Sequence, residues 1–257
     1  MTDNETKAKR RPLAESPFTF GCGPDVPCYT ACCHKLELRL YPYDIIRLKK
    51  KLGITSEDFL NRYTGMIKGD NPCFPSLILA MGRDEEKSCP FLTPEGCSVY
   101  RDRPSACRTY PLERGVEKRP DSSRLIEHWF VVEHPYCKGH GLGRKWTDRE
   151  WVRDQSLIEY NQMNDLWAEM DNIFADPRTW AGEGAAGPRQ KMAFLACYNI
   201  DRFREYIVEH KVLDQFRIDK GRKKVIMADD EVLLTFAFDW LKTVLVGIPA
   251  LTPRKTR

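Results

Sequence analysis

The chain has 257 residues, a formal net charge of +4 at pH 7 and 42% hydrophobic residues, enough to build one good core and a second lobe. So small a charge imbalance does not by itself argue for nucleic acid. No stretch reaches the ~20 apolar residues needed to span a bilayer; the best, Val232 to Val246, is interrupted by Asp239 and Lys242.

The first 17 residues mix Lys7, Lys9, Arg10 and Arg11 with acids. They read as a disordered leader and not as a secretion signal, because no long apolar run follows the basic residues. The expected location is therefore the cytoplasm, where thiols stay reduced. Next comes a Gly/Pro loop carrying Cys22, Cys28, Cys32 and Cys33. Leu36, Leu38 and Leu40 alternate with polar residues and predict a short strand. Pro42 suits the first turn of a helix whose stripe is Ile45, Ile46, Leu48 and Leu52, and Gly53 stops it. Thr55 and Asp58 form an N-cap pair for a second short helix. The two helices are expected to buttress the cysteine loop and not to act as a helix-turn-helix.

Pro75 to Met81 predicts a strand that feeds the second cysteine group, Cys89, Cys97 and Cys107. Residues 112 to 123 read as a polar loop. Leu125 to Val132 predicts a strand leading to Cys137. Beyond Trp146, Thr147 to Glu150 is a capping box, and Tyr160, Met163, Trp167, Met170 and Phe174 recur at spacings of three and four along a long helix. Residues 178 to 187 read as a linker, and helices are expected around 190–209 and 229–246. The fold class is α+β: a loop-rich, cysteine-cluster metal-binding half with short strands and helices, then an all-helical C-terminal half. The expected division is a leader at 1–17, a cysteine-cluster domain at 18–143 and a helical domain at 146–257.

Eight cysteines recur as Cys22-x5-Cys28-x3-Cys32-Cys33, Cys89-x7-Cys97-x9-Cys107 and Cys137. Thiolates grouped on loops rich in Gly and Pro are the ligand set that a soft metal needs. In a reducing compartment they are metal ligands or redox groups before they are disulfides. Cys197 lies in an apolar run and reads as a core residue, and Cys73 stands apart; neither joins the ligand set. Cys32 and Cys33 are adjacent. In extended backbone their side chains point to opposite sides, so the pair is expected to divide its ligands between two metal centres or two irons of one cluster. The chain has no C-x2-C pair of the kind familiar in zinc sites. Its irregular gaps suit an iron–sulfur cluster wrapped by several loops better, with zinc as the alternative. His34, His134 and His140 flank the cysteines as second choices. Arg101, Arg103, Arg108 and Arg114 surround Cys107 and are expected to offset thiolate charge.

The run Cys89-Pro90-Phe91-Leu92, Gly96-Cys97-Ser98-Val99-Tyr100, Arg103-Pro104, Cys107-Arg108 and Tyr110-Pro111, with the first four cysteines before it, resembles the YkgJ-type cysteine-cluster family, also described as the CxxCxxCC, zinc- or iron-chelating, domain. The similarity covers roughly Phe18 to Gly143, and His134-Pro135-Tyr136-Cys137-Lys138-Gly139 fits the family's habit of placing a last cysteine before a glycine. The resemblance implies a cytoplasmic metal- or iron–sulfur-binding protein without a settled reaction. A related arrangement in flagellin lysine methylases extends this, by analogy, to protein modification. Three readings follow: an iron–sulfur protein with a redox or redox-linked role, a structural zinc module, and a protein-modifying enzyme. No catalytic triad or acid/base pair is evident. The expected partner is a redox or other protein, with neither membrane nor nucleic acid.

Overall fold

A computed structural model of the chain describes residues 8–13, 17–118 and 125–254. Strands β1 (Lys9–Pro12) and β2 (Phe18–Phe20) precede the first cysteine loop. There follow β3 (Arg39–Leu40), α1 (Pro42–Leu52), α2 (Ser56–Tyr63), β4 (Thr64–Ile67) and β5 (Ser76–Leu79). The second cysteine segment holds β6 (Leu92–Thr93), β7 (Gly96–Cys97) and α3 (Ser105–Thr109), and β8 (Leu112–Lys118), β9 (Leu125–Glu133) and β10 (Arg144–Trp146) come after it. The rest is helical: α4 (Asp148–Asp154), α5 (Ile158–Ala175), α6 (Pro188–Tyr198), α7 (Ile200–Glu209), α8 (Lys220–Ala228) and α9 (Asp230–Val246). The fold is thus α+β, with small antiparallel sheets towards the N-terminus and helices in the C-terminal half.

These elements form two compact units interleaved along the chain: residues 1–38 with 81–161, and residues 39–80 with 162–257. The first unit contains an antiparallel sheet of order β1-β9-β8, the pair β10-β2 and the hairpin β6-β7. Its core gathers Phe18, Phe20, Phe91, Val99, Leu112, Val131 and Trp151, all nearly inaccessible to solvent. The second unit contains the sheet β3-β5-β4 and the helices α1, α2 and α6 to α9, around Tyr43, Leu48, Phe59, Leu77, Phe174, Phe203 and Phe238. Helices α1 and α2 belong to this second unit, whereas the cysteine loops belong to the first. Ser56 Oγ donates to Asn199 Oδ1 at 2.7 Å, and Lys49 Nζ lies 3.0 Å from Asp201 and 2.8 Å from Asp230. These bonds tie the two helices to α7 and α9.

Helix α1 ends where Gly53 adopts a φ of 66°, and the Thr55 hydroxyl accepts the Asp58 N–H at 3.0 Å to start α2. Both ends match the sequence signals. Other elements depart from expectation. Residues 9–12, placed in a disordered leader, form β1, paired antiparallel with β9 from Lys9 opposite Glu133 to Pro12 opposite Phe130. The strand is polar because it lies at a sheet edge. Arg10 stacks on the Phe130 ring at 3.5 Å and bonds Glu113 at 2.9 Å. Residues 1–7 and 14–16 of that leader lie outside the described residues. Residues 112–118, read as loop, form β8, which pairs in full with β9. Its polar side chains find partners across the ladder, as Arg114 does with Glu127 at 2.7 Å. The helix expected at 190–209 is broken at Asn199, whose side chain is committed to Ser56. The expected linker carries a 3-10 turn, Pro177–Trp180, that buries Trp180. Helix α8 had no signal in the apolar pattern. Among the described residues, no helix is long and apolar enough to cross a membrane.

Candidate metal centre

All eight singled-out cysteines lie in the first unit: four in the segment after β2, Cys89 ahead of β6, Cys97 in β7, Cys107 in α3 and Cys137 after β9. Strand β2 pairs with β10, and Gly21 N–H donates to Gly139 O at 3.1 Å. This contact sets Cys22 beside the loop carrying Cys137. It requires glycine: a Cβ on Gly139 would stand 2.4 Å from the Gly21 oxygen. Successive one-turn bonds, Val26 N–H to Gly23 O, Tyr29 N–H to Val26 O, Ala31 N–H to Cys28 O and Cys33 N–H to Thr30 O, coil the first loop tightly. Cys32 and Cys33 therefore sit in a 3-10 turn, Ala31–Cys33, and not in extended backbone. Their side chains hydrogen-bond each other instead of pointing apart, because tightly wound backbone does not alternate its side chains as a strand does.

Backbone bonds bring the second cysteine segment to the first. Cys89 N–H donates to Cys33 O at 2.7 Å, and Ser88 Oγ lies 3.2 Å from His34 Nδ1. The β6-β7 hairpin places Cys97 opposite Leu92, and α3 carries Cys107. From the far end of the unit, Lys138 N–H donates to Cys28 Sγ at 3.0 Å. Six of the eight cysteines are half-buried, and Cys22 and Cys32 reach the surface.

The sulfurs act on one another electrostatically. The Cys22 thiol is raised, first by loss of solvent and then by Cys32, Cys137 and Cys28. Cys33 is raised by its hydrogen bond to Cys32, by burial, and by Cys32, Cys89 and Cys107. Cys32 is correspondingly the first of the pair to ionise, lowered to about 7 by the bond from Cys33. Burial raises Cys89 against the Phe91 and Leu92 N–H groups that stabilise its thiolate; it raises Cys97 against Val99 N–H and Arg103. Electrostatics thus links the eight sulfurs in overlapping pairs, with Cys32 acting on Cys22, Cys33, Cys89 and Cys97. Among the described residues no three His, Cys, Asp or Glu side chains stand in a metal-ligating arrangement, so the thiols are gathered without a closed coordination sphere. Cys197 is buried in the second unit, and Cys73 belongs to that unit too.

Of the four arginines expected around Cys107, Arg103 fills the role. Its charge acts on Cys22 and Cys97, and Cys97 and Cys107 act on it. It is held by Tyr100 O at 2.5 Å, by Gln155 Oε1 and by the Tyr100 ring at 3.9 Å. Arg108 turns instead to Gln155 O and Arg101 O, and Arg114 to Glu127. Sequence reasoning missed the tyrosines. Tyr110 is raised by burial and by its bond to Cys137, and its hydroxyl lies 3.1 Å from His140 Nε2. Tyr136 is pushed up to about 12 by burial and then by Cys32 and Cys137. His134 stacks on Tyr136 at 4.9 Å. The backbone donors to sulfur had no signal at all, since any residue carries an N–H.

Soft thiols, amides that favour the thiolate form and a buried guanidinium together suit a thiophilic cation. The class so defined is a cysteine-rich metal-binding domain. Residues 22–138 match the model of the family CxxCxxCC, described as "Putative zinc- or iron-chelating domain". No curated protein and no solved structure matches the chain.

Proposed function

We propose that the eight cysteines hold iron–sulfur chemistry with a redox or redox-linked role, in the reducing cytoplasm and in exchange with a protein partner. The observation that carries this reading is the gathering of the sulfurs about the Cys32–Cys33 turn. Cys22 feels Cys28, Cys32 and Cys137, Cys33 feels Cys32, Cys89 and Cys107, and Cys32 acts on Cys89 and Cys97 as well. Eight thiolates make two sets of four, which we assign as Cys22, Cys28, Cys32, Cys137 and Cys33, Cys89, Cys97, Cys107. Four cysteines each is the complement that a cluster takes. When bound, such a centre supplies one-electron transfer.

The chain's own residues do the rest. Backbone N–H groups of Phe91, Leu92, Val99 and Lys138 hold three sulfurs as acceptors. Arg103 counters the accumulated negative charge, and Tyr110 orients Cys137.

A second reading is zinc held by the same two sets. Cys89 favours it, because its sulfur takes N–H donors two and three residues on, the arrangement of a zinc knuckle. The two readings separate on anaerobic purification. Iron–sulfur gives a brown protein with charge-transfer absorbance, and Cys22→Ser halves the iron per chain. A colourless protein with unchanged stability after exposure to oxygen supports zinc.

A further inference from the structure

Residues 243–253 carry no charged side chain. They close α9 and return to the segment that leads into α8. Gly247, at a φ of 69°, ends the helix. Ile248 N–H then donates to Lys242 O at 3.1 Å, and Leu251 N–H to Thr243 Oγ1 at 3.1 Å. All of residues 246–250 are exposed, Val246 at 37% and Ile248 at 43%. Val244, at 39%, extends the apolar surface back along α9. Single exposed apolar residues are ordinary. A run of them at a helix end, bordered by cations, is not.

The cations come from the neighbouring segment. Arg217 N–H donates to Thr252 O at 2.9 Å, and Arg254 N–H to Gln215 O at 2.7 Å. Both arginines therefore flank the end of the apolar run, and Thr252 stands only two residues from Ala250, about 7 Å of chain at most. Arg217 leads into α8, where Lys220 and Lys224 share one face four positions apart. Lys211 and Arg254 both act electrostatically on Asp214, which places them near it. The two acids of residues 211–224 are already engaged. Asp214 holds Lys223 at 2.5 Å, and Asp219 caps α8 by accepting Arg222 N–H at 2.9 Å. Lys211, Arg217, Lys220, Lys224 and Arg254 are exposed and form no ion pair among the described residues.

We propose that this face docks on an anionic lipid bilayer, with the 246–250 tip at the boundary of headgroups and acyl chains and the five cations over the headgroup anions. A bilayer supplies both an apolar phase and negative charge, the two things that the surface lacks. Nucleic acid would use the cations but leave the tip in water, and residues 243–254 hold no aromatic side chain on which a base could stack. The expectation of no membrane partner rested on the lack of a spanning run. A loop that lies in the interface needs no such run. All of these residues belong to the second unit, away from the eight cysteines, so docking here does not depend on the metal reading.

The test is sedimentation of the full chain with vesicles of phosphatidylcholine alone and of phosphatidylcholine mixed with phosphatidylserine. The chain binds the mixed vesicles saturably and the neutral ones at least ten-fold more weakly. Lys220→Glu with Lys224→Glu weakens binding at least ten-fold, since each basic residue near an anionic leaflet contributes about five-fold. Ile248→Ser, which leaves every charge in place, weakens it several-fold because the tip loses apolar area. These side chains are exposed, so melting temperatures stay at the parent value. A short DNA duplex binds more weakly than the mixed vesicles. The two kinds of vesicle with the unaltered protein decide the matter even if a variant fails to fold. No saturable binding to mixed vesicles, equal binding to neutral ones, unchanged binding by a folded Ile248→Ser, or tighter binding to the duplex overturns the proposal.

Discussion

The backbone N–H of Lys138 donates to the sulfur of Cys28 at 3.0 Å, across 110 positions of sequence. A thiolate accepts such a bond more strongly than a thiol does. The contact therefore both closes the first unit and readies Cys28 for a cation. Lys138→Pro removes the donor, whereas Lys138→Ala keeps it. Metal affinity measured by chelator competition is expected to fall about ten-fold or more for the proline variant and to stay level for the alanine variant.

Gly139 approaches Gly21 too closely for any side chain, since an added Cβ would meet the Gly21 oxygen at 2.4 Å and the Phe20 ring at 2.9 Å. Gly139→Ala is expected to destabilise the protein by about 1–3 kcal/mol, the range for overpacking. Gly23 has open space around its Cβ position, so Gly23→Ala is expected to stay within about 0.5 kcal/mol of the parent. Urea unfolding of the two variants checks both values.

The sequence signals that succeeded are those with a local cause. Gly53 ends α1 through its own positive φ, and Thr55 starts α2 through a bond three residues on. The elements that escaped depend on distant partners. Strands β1 and β8 are polar, and only pairing with β9 explains them. The break at Asn199 depends on Ser56, 143 residues away. At the candidate site the cysteines were legible because thiol clustering is a property of composition. The relation of Cys32 to Cys33 was not, because it follows from the 3-10 winding of the loop. Nor was the choice of Arg103 over Arg108 and Arg114, which their hydrogen bonds decide.

Tyr110 stands between Cys137 and His140. With Nε2 protonated, His140 donates to the phenol oxygen, which leaves the hydroxyl proton for the Cys137 sulfur. Hydrogen bonds to sulfur stabilise the more reduced, more negative state of a thiolate-held centre. Tyr110→Phe is expected to leave the metal content intact and to move the reduction midpoint to more negative potential in a potentiometric titration. An unmoved midpoint would reduce Tyr110 to a packing role.

Asp201 joins α7 to α1 and α2. Burial pushes its carboxyl up, but the Ser56 N–H at 2.7 Å and Lys49 at 3.0 Å outweigh that and hold it below the usual carboxylate range. A depressed carboxyl contributes stability that is present above its unfolded pKa, about 4, and is lost as pH falls through the folded value. Asp201→Asn is expected to cost about 2 kcal/mol at pH 7, below the range for a fully buried pair because the site is partly exposed, and clearly less at pH 3. Unfolding curves at the two pH values check this, and an equal cost at both would show that the charge plays no part.

The central claim is that Cys22, Cys28, Cys32, Cys33, Cys89, Cys97, Cys107 and Cys137 together hold iron–sulfur chemistry. Quantitation of iron, zinc and acid-labile sulfide in anaerobically purified protein tests it most directly. The account predicts iron and sulfide in near-equal amounts, several of each per chain, about half of both lost when the cysteines of one set are replaced by serine and all of both when the two sets are. Stoichiometric zinc without sulfide, or a single mononuclear ion per chain, would contradict it.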